Sequence, residues 1–197
     1  MSVKPVIQPG WVRLTHWLNA IAVVIMVMSG WRIYNASPIY PFVFPDGITL
    51  GGWLAGALYW HFFAMWILFV NGVAYLLANT FTGRLQRRFF PLRWSELRGD
   101  LWAAIRGHLS HADLSRYNAP QKWAYLFAMA DIALLIVSGL VVWKSVQFPL
   151  LRELLGGYDM ARKVHFYAMW GLVGFVSVHV LMVLLVPRSL LLMIRGR

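Results

Sequence analysis

The chain has 197 residues, of which 60% are hydrophobic and only 13% are charged. Soluble domains have about half apolar and about a quarter charged residues, so this composition excludes an ordinary soluble domain and predicts an integral membrane protein with a single domain over residues 1–197. The net charge of +11 is expected to mark cytoplasmic loops rather than to bind nucleic acid, and the absence of cysteine excludes disulfides, thiolate-held iron–sulfur clusters and covalently attached c-type haem.

The first predicted membrane span covers residues 11–34 and carries His16 near its start. No short apolar core with a small-residue cleavage site precedes it, so we expect no removable signal peptide. The stretch that follows is rich in proline and aromatic residues, which collect at membrane interfaces. The second predicted span, residues 52–78, has no charged residue and holds His61 about nine residues from its start.

The segment between the second and third spans, residues 80–122, is the one long polar stretch, and it is strongly basic. Within it, the apolar spacing from Ser95 to Leu109 predicts an amphipathic helix that lies on the cytoplasmic surface of the membrane. His108 and His111 also fall in this segment, outside any span. We therefore expect them to be surface residues rather than metal ligands.

The third predicted span, residues 121–144, contains Asp131, the only acidic residue well inside a span. The fourth, residues 160–186, contains His165 and His179, which are 14 residues apart. At about 1.5 Å and 100° per residue, the two side chains point nearly the same way and lie about 21 Å apart along the helix. One helix thus offers an imidazole near each side of the membrane.

Four spans predict an all-α, four-helix membrane bundle with both termini on one side, and most of the 18 lysines and arginines fall on that side. The positive-inside rule therefore predicts cytoplasmic termini. Depth then pairs His16 with His179 on the cytoplasmic side and His61 with His165 on the periplasmic side. Because imidazole is a usual axial haem ligand, we expect two non-covalent haems that carry electrons and have no open position for a substrate.

A short repeat relates the second and fourth spans, since residues 60–66 match residues 164–170. A weaker echo links Ser29-Gly30 of the first span to Ser138-Gly139 of the third. Together they predict a duplicated two-helix hairpin in which the two repeated histidines are equivalent ligands of one haem. The alternative is that the histidines are buried side chains bonded to the backbone, but ionisable residues within spans are costly and usually functional.

Three stretches of the chain carry a resemblance to a known family. They are Arg13-x-x-His16-Trp17-Leu18-Asn19-Ala20, Tyr117-Asn118-Ala119-Pro120-Gln121-Lys122, and the pair His165 and His179 on the last span. They resemble the bacterial cytochrome b-561 family, in the branch with the cytochrome b subunits of nickel–iron hydrogenases and the gamma subunits of formate dehydrogenases.

This resemblance implies a four-helix protein of the bacterial cytoplasmic membrane that contains two haem b groups. Family members pass electrons between a membrane quinone and a partner redox subunit. Residues 37–61 look most like relatives whose partner is a periplasmic molybdopterin oxidoreductase of the sulfite-oxidase type. The resemblance therefore implies a partner subunit of that kind, or a hydrogenase.

The sequence leaves two interpretations of the residues that are candidates for binding quinone. Asn118, Gln121 and Lys122 are candidates for hydrogen bonding to a quinone carbonyl, but they could equally cap and anchor the third span. Asp131 is a candidate for delivering protons to the quinone, or for pairing with a buried polar group such as Asn19.

Two further functions are compatible with the pattern. One is a stand-alone haem oxidoreductase of the same fold, such as a superoxide:quinone oxidoreductase, which needs no partner. The other is a transporter or membrane scaffold whose histidines lie in a proton or metal path. The transporter predicts no haem, and it predicts more carboxylates within the spans than Asp131 alone.

Overall fold

The computed structural model describes residues 7–83, 94–106 and 119–196, and this part of the chain is helical with no strand. In chain order the helices are α1 (Gly10–Ala36), α2 (Leu54–Phe81), α3 (Trp94–Ile105), α4 (Ala119–Trp143), α5 (Pro149–Leu154), α6 (Tyr158–Leu185) and α7 (Pro187–Arg195). Helices α1, α2, α4 and α6 are long and apolar enough to cross a membrane. They confirm the four predicted spans to within three residues at every end, and the all-α fold class is confirmed.

Within each unit, the long helices pack against each other in the way that membrane helices do. Many of their buried positions hold small residues, such as Ala22, Ala57 and Ala161, whereas large apolar side chains such as Phe69 and Leu184 are exposed. Small residues let helix backbones approach closely where lipid, rather than water, surrounds the bundle. The outward-facing apolar side chains are therefore expected to contact lipid.

The described chain divides into two compact units, and the first contains α1, α2 and the C-terminal residues from 190 onward. Helices α1 and α2 run antiparallel. Near one end, the Asn71 side chain donates hydrogen bonds to the Thr15 carbonyl at 2.8 Å and to Asn19 Oδ1 at 2.6 Å. Polar contacts of this kind between membrane helices contribute on average about 0.6 kcal/mol each. They hold α2 against the end of α1 that carries His16.

The connection from α1 to α2 is tied to the helix ends at several points. Arg32 forms an ion pair with Asp46 and also donates to the Gly52 carbonyl. Asn35 exchanges two hydrogen bonds with the Phe44 backbone, each at 2.8 Å. These contacts give the proline-rich and aromatic segment a defined path, as expected for a structured loop at the membrane interface.

The two ends of the described chain meet at the start of α1. The backbone N–H of Ile7 donates to the Gly196 carbonyl at 2.9 Å, and Arg13 Nη1 donates to the Ile194 carbonyl at 2.5 Å. The last carbonyls of a helix lack intrahelical donors, and a cation is favourable there, so Arg13 caps α7. This contact agrees with the expectation that both termini share one side; which side that is remains a prediction.

The second unit contains α3, α4, α5 and α6. The predicted amphipathic helix corresponds to α3, although residues 107–109 lie outside the described residues and its position on the membrane surface remains a prediction. Asp100 of α3 accepts a hydrogen bond at 3.1 Å from the backbone N–H of Ala119, the first residue of α4. A carboxylate is favourable at the N-terminus of a helix, so this contact stabilises the described start of α4. His108, His111 and Asn118 lie outside the described residues.

Candidate functional site

In the first unit, His61 of α2 is held by a serine of α1. His61 Nδ1 lies 3.0 Å from Ser29 Oγ, and that oxygen lies 2.6 Å from the carbonyl oxygen of Ile25, one turn earlier in α1. A carbonyl only accepts, and a hydroxyl has a single proton, so Ser29 donates to Ile25 and accepts from His61 Nδ1. The ring is therefore the tautomer with a proton on Nδ1 and a lone pair on Nε2.

In the second unit, His165 of α6 is held by a serine of α4 in the same way. His165 Nδ1 lies 3.0 Å from Ser138 Oγ, which lies 2.6 Å from the Leu134 carbonyl oxygen. The same count of protons assigns a proton to Nδ1. The His165 ring also has a hydrogen bond with the backbone of Leu135, in the same turn of α4. A hydrogen bond at one ring nitrogen fixes which nitrogen is available to a metal, so both histidines are prepared to ligate through Nε2.

A glycine follows each of these serines and gives the imidazole room. A Cβ built on Gly30 would lie 3.5 Å from His61 Cε1, and one built on Gly139 would lie 3.2 Å from His165 Cε1. Each ring therefore rests close to the backbone of the neighbouring helix. Serine and glycine act together, because the first orients the ring and the second lets it approach.

The match between the two hairpins extends beyond the repeated sequence. Each histidine lies seven residues after the first residue of its helix, and each serine lies 19 residues after the first residue of its own. Buried alanines flank each histidine four residues before and three residues after it: Ala57 and Ala64 around His61, and Ala161 and Ala168 around His165. Two successive glycines with positive φ precede each of these helices: Gly51 and Gly52 before α2, and Gly156 and Gly157 before α6. The shared geometry supports the predicted duplication of a two-helix hairpin.

His16 and His179 lie away from these serine contacts. His16 is on α1, next to the Thr15 carbonyl that accepts from Asn71, and its ring meets Trp17 edge-on at 5.4 Å between centroids. His179 stacks on Phe175, one turn earlier in α6, with centroids 6.0 Å apart and an interplanar angle of 12°. Helix α6 is continuous between its two histidines, so their spacing of about 21 Å along the axis holds.

The donor set fits haem iron better than a bare metal ion. Within the described ranges, no group of three or more His, Cys, Asp or Glu side chains could hold a metal ion. A structural or catalytic zinc site needs at least three such ligands, whereas a haem needs only one or two axial imidazoles. His16 and His61 belong to the first unit and His165 and His179 to the second, so the two pairings remain predictions.

The residues predicted to bind quinone occupy two levels of α4. Gln121 and Lys122 lie in its first turn, and Asp131 lies about 15 Å further along the axis. Asp131 is 8% exposed, and its Oδ2 atom has no hydrogen-bond partner among the described residues. Its Oδ1 lies beside Gly171 of α6, where a Cβ would come within 3.0 Å of it. Asp131 therefore cannot touch the same quinone ring as the residues of the first turn.

Sequence analysis missed the partners that orient the ligands. Ser29 and Ser138 were noted only as an echo between the hairpins, although a serine inside an apolar span is itself a signal, because its hydroxyl needs a partner there. Asn71 was not singled out, yet it is a buried amide in a span that lacks charge. Each of these side chains satisfies a polar group of a neighbouring helix.

We predict that adding a methyl group at the two glycines will have unequal effects. Gly139→Ala places a Cβ 3.2 Å from His165 Cε1, so the ring must shift by a few tenths of an ångström, whereas Gly30→Ala makes only ordinary contact with His61. Gly139→Ala should therefore lower the haem content of the purified protein or alter its reduced absorption spectrum. Gly30→Ala should leave both unchanged and gain up to about 1 kcal/mol of helix propensity. The haem content and spectrum of the two variants provide the comparison, and equal behaviour would contradict the asymmetry.

The chain is similar to two named proteins. A relative from Azospira oryzae, provisionally named protein-methionine-sulfoxide reductase subunit YedZ1, is 65% identical over 190 residues, which cover 96% of each chain. A relative from Cupriavidus necator, provisionally named Ni/Fe-hydrogenase B-type cytochrome subunit, is 25% identical over 191 residues, which cover 86% of this chain and 74% of the relative. No solved structure matches the chain.

The family model that matches is described as prokaryotic cytochrome b561, and the match covers residues 7–196. The matched range contains the four histidines within the spans and both serines that contact a histidine. The four apolar helices are consistent with a multi-pass membrane protein. The chain therefore belongs to the prokaryotic cytochrome b561 family and is a membrane haem protein.

Proposed function

We propose that the protein is a di-haem b cytochrome that transfers electrons between the membrane quinone pool and a partner redox protein. The observation that carries this proposal is the pair of matched serine–histidine contacts, which place Nδ1 of His61 and of His165 on a serine and so favour Nε2 as the nitrogen that would ligate iron. When bound, haem b supplies a centre that takes up and releases one electron. Two histidines at one iron leave no open coordination position, which favours electron transfer over chemistry on a substrate.

The four histidines are proposed to form two ligand pairs. His61 pairs with His165, since both occupy the same position in their hairpins and both are oriented by a serine. His16 pairs with His179, because His16 lies near the start of α1 and His179 lies near the end of α6, and both helix ends are proposed to face the same side of the membrane. Along α6 the two ligands are about 21 Å apart, so the pairs serve opposite sides of the membrane.

The named relatives suggest the kind of partner. Since the more similar relative is provisionally named as a subunit of a protein-methionine-sulfoxide reductase, we propose a periplasmic molybdopterin oxidoreductase that reduces methionine sulfoxide in proteins. Reduction of one sulfoxide to the thioether takes two electrons and two protons and releases water. Oxidation of one quinol to the quinone releases two electrons and two protons. Electrons would then pass from quinol through this protein to its partner.

A hydrogenase cytochrome is the second candidate, favoured by the similarity to the provisionally named Ni/Fe-hydrogenase subunit. In that case the partner would be a hydrogenase and electrons would flow in the other direction, from hydrogen to quinone. The lower identity of 25% makes it the weaker of the two.

The quinone is proposed to bind at the start of α4, where Gln121 and Lys122, with the preceding Asn118, offer hydrogen-bond donors to a carbonyl oxygen. Asp131 lies about 15 Å deeper in the same helix, too far for direct contact with that ring. Its role is then to exchange a proton with the quinone through intervening groups.

The location that follows is the bacterial inner membrane, with both termini in the cytoplasm. The contact between Arg13 and the end of α7 supports a shared side for the termini, and the excess of basic residues on that side supports the cytoplasm. The pair His16 and His179 then lies near the cytoplasmic surface, where the start of α4 also lies. The pair His61 and His165 lies near the periplasm, where the partner docks. The single domain over residues 1–197 is part of this proposal.

Replacing single histidines tests the two pairs. The purified protein should contain two b-type haems per chain, and His179→Ala should remove one of them while the haem of His61 and His165 remains. His16→Ala should remove the same haem as His179→Ala, as judged by the reduced difference spectrum and haem quantification. Colourless protein from haem-replete cells would refute the function, and loss of different haems in these two variants would refute the pairing.

Purification from the native membrane tests the partner. We expect a periplasmic oxidoreductase to co-purify, and a quinol analogue to drive reduction of methionine sulfoxide in a test protein by the complex. Co-purification with a hydrogenase, and hydrogen-driven quinone reduction, would establish the second candidate instead. Isolation without any partner, together with superoxide-driven quinone reduction, would establish a stand-alone enzyme.

The role of Asp131 is tested by the isosteric amide. Asp131→Asn keeps the shape of the side chain beside Gly171 but removes the exchangeable carboxyl proton, so quinol oxidation should slow at least tenfold while the haem content is unchanged. Asp159→Asn is the matched control, since Asp159 is an exposed acid in the first turn of α6. Stopped-flow reduction of the haems by a quinol analogue measures the rate, and equal rates in the two variants would exclude a role for Asp131 in taking up a proton released by the quinol.

A further inference from the structure

We propose that Ser29 and Ser138 are paired positioning residues that lower the reduction potential of the haem held by His61 and His165. This inference rests on the proposed function, because it takes that haem and its ligands as given. It adds two residues that do not touch the iron but act through its ligands. It also distinguishes this haem from the one assigned to His16 and His179.

The first step concerns the serine hydroxyl protons, which are donated to backbone carbonyls. Ser29 Oγ lies 2.6 Å from the Ile25 carbonyl and 3.2 Å from that of Met26, and Ser138 Oγ has the same two contacts in α4, at 2.6 Å and 3.3 Å. Both serines are fully buried, with 0% exposure, so water does not compete for these protons. Toward the imidazole each hydroxyl can therefore act only as an acceptor.

The second step is the strength of that acceptor. A hydroxyl that donates to a carbonyl is polarised, and its oxygen accepts a further hydrogen bond more strongly, particularly where the local dielectric constant is low. In each hairpin the imidazole N–H donates to the serine oxygen, and the serine O–H donates to a backbone carbonyl, so the two hydrogen bonds run in the same direction. Nδ1–H of His61 donates to Ser29 in one hairpin, and Nδ1–H of His165 donates to Ser138 in the other.

The third step is the effect on a ligand. A histidine that donates its Nδ1 proton to an acceptor becomes more basic at Nε2 and is fixed in its ring orientation. A more basic ligand stabilises the ferric form of the iron relative to the ferrous form, because it donates more electron density. If His61 and His165 both ligate this iron, the two ligands would act in the same direction and their effects on the reduction potential would add.

The serines could instead serve only to satisfy their own helices, and the chain contains a residue that shows this simpler role. Ser177 of α6 donates to the Val173 carbonyl at 2.8 Å, as a serine within a helix commonly does, but it is exposed. Ser29 and Ser138 differ because their oxygens are buried and each meets an imidazole nitrogen. Ser177 is therefore a matched control for loss of the bond within the helix.

The experiment compares Ser29→Ala, Ser138→Ala, the double variant and Ser177→Ala as purified holoprotein. Spectroelectrochemical titration should show a raised reduction potential for one of the two haems in each single variant, and a larger rise for the same haem in the double variant. The other haem serves as an internal reference and should not move. Ser177→Ala should titrate like the unaltered protein.

Two additional measurements separate orientation from folding. Ser138→Cys retains the shape but supplies a weaker acceptor, so its potential should fall between those of Ser138→Ala and the unaltered protein, even if the alanine variant loses haem. The low-spin ferric electron paramagnetic resonance signal of the affected haem should also change, because it reports on the orientation of the ligand rings.

Unchanged potentials in Ser29→Ala and Ser138→Ala, with both haems retained, would overturn the proposal. So would equal shifts of both haems, or a shift in Ser177→Ala, since these would indicate a general effect on folding. Shifts of two different haems by the two single variants would overturn the assignment of His61 and His165 to one iron. Absence of haem from the unaltered protein would instead refute the proposed function, and the two failures are thus distinguishable.

Discussion

The structure depends on how a polar ring is accommodated inside an apolar span. A neutral imidazole brings one donor and one acceptor, and either is costly to bury without a partner. Ser29 and Ser138 accept the hydrogen bond from the imidazole N–H. Neither serine is left with an unsatisfied hydroxyl, because each hydroxyl donates to the carbonyl one turn earlier in its own helix. The serine fixes Nδ1 as the protonated nitrogen, so Nε2 is the nitrogen suited to ligate a metal. The hydrogen-bonded partners of each ring therefore help to define the site.

The duplicated hairpin accounts for the equivalence of His61 and His165 but not for the positions of His16 and His179. His61 and His165 match each other in their position within the helix, in their serine partner and in the alanines that flank them. The positions that correspond to His16 and His179 in the opposite hairpin, counted from the helix starts, hold Tyr125 and Tyr75. The proposed pair of His16 and His179 would therefore take one histidine from each hairpin at non-equivalent positions. A duplicated scaffold that later became asymmetric would produce this pattern, with one ligand pair inherited by both copies and the other acquired separately.

Hydrophobic patterning was sufficient to predict the spans, since a membrane imposes both the length and the apolar character of a helix that crosses it. It also exposed the histidines, because an ionisable residue stands out in such a helix. The contacts of Ser29, Ser138 and Asn71 could not be predicted in the same way. They depend on which faces of two helices meet, and the apolar residues of a membrane helix surround it on all sides, so periodicity says little about the buried face. The sequence predicted that Asn118, Gln121 and Lys122 bond a quinone carbonyl and that Asp131 exchanges protons with it. The helical rise puts Asp131 about 15 Å further along α4 than Gln121.

The serine–histidine contacts also require that the loops fix the residue at which each histidine-bearing helix begins. A shift of one residue at the start of α2 would rotate His61 by about 100° about the helix axis and carry it away from Ser29. In the first unit, this register is fixed by Arg32, which joins the end of α1 to the Gly52 carbonyl, and by the hydrogen bond from the Leu50 N–H to the Met28 carbonyl at 3.0 Å.

The second unit reaches the same register by a different route. Its connection contains α5, whose end is closed by the Gly157 N–H donating to the Arg152 carbonyl at 2.8 Å, and Gly157 then accepts from Ala161 at 3.0 Å as α6 begins. Apart from the pair of positive-φ glycines before each helix, the two loops differ in sequence and structure, and yet each places a histidine seven residues after the first residue of its helix. What the two hairpins hold in common is therefore the placement of the ring rather than the path of the chain, as expected where the function depends on the ring.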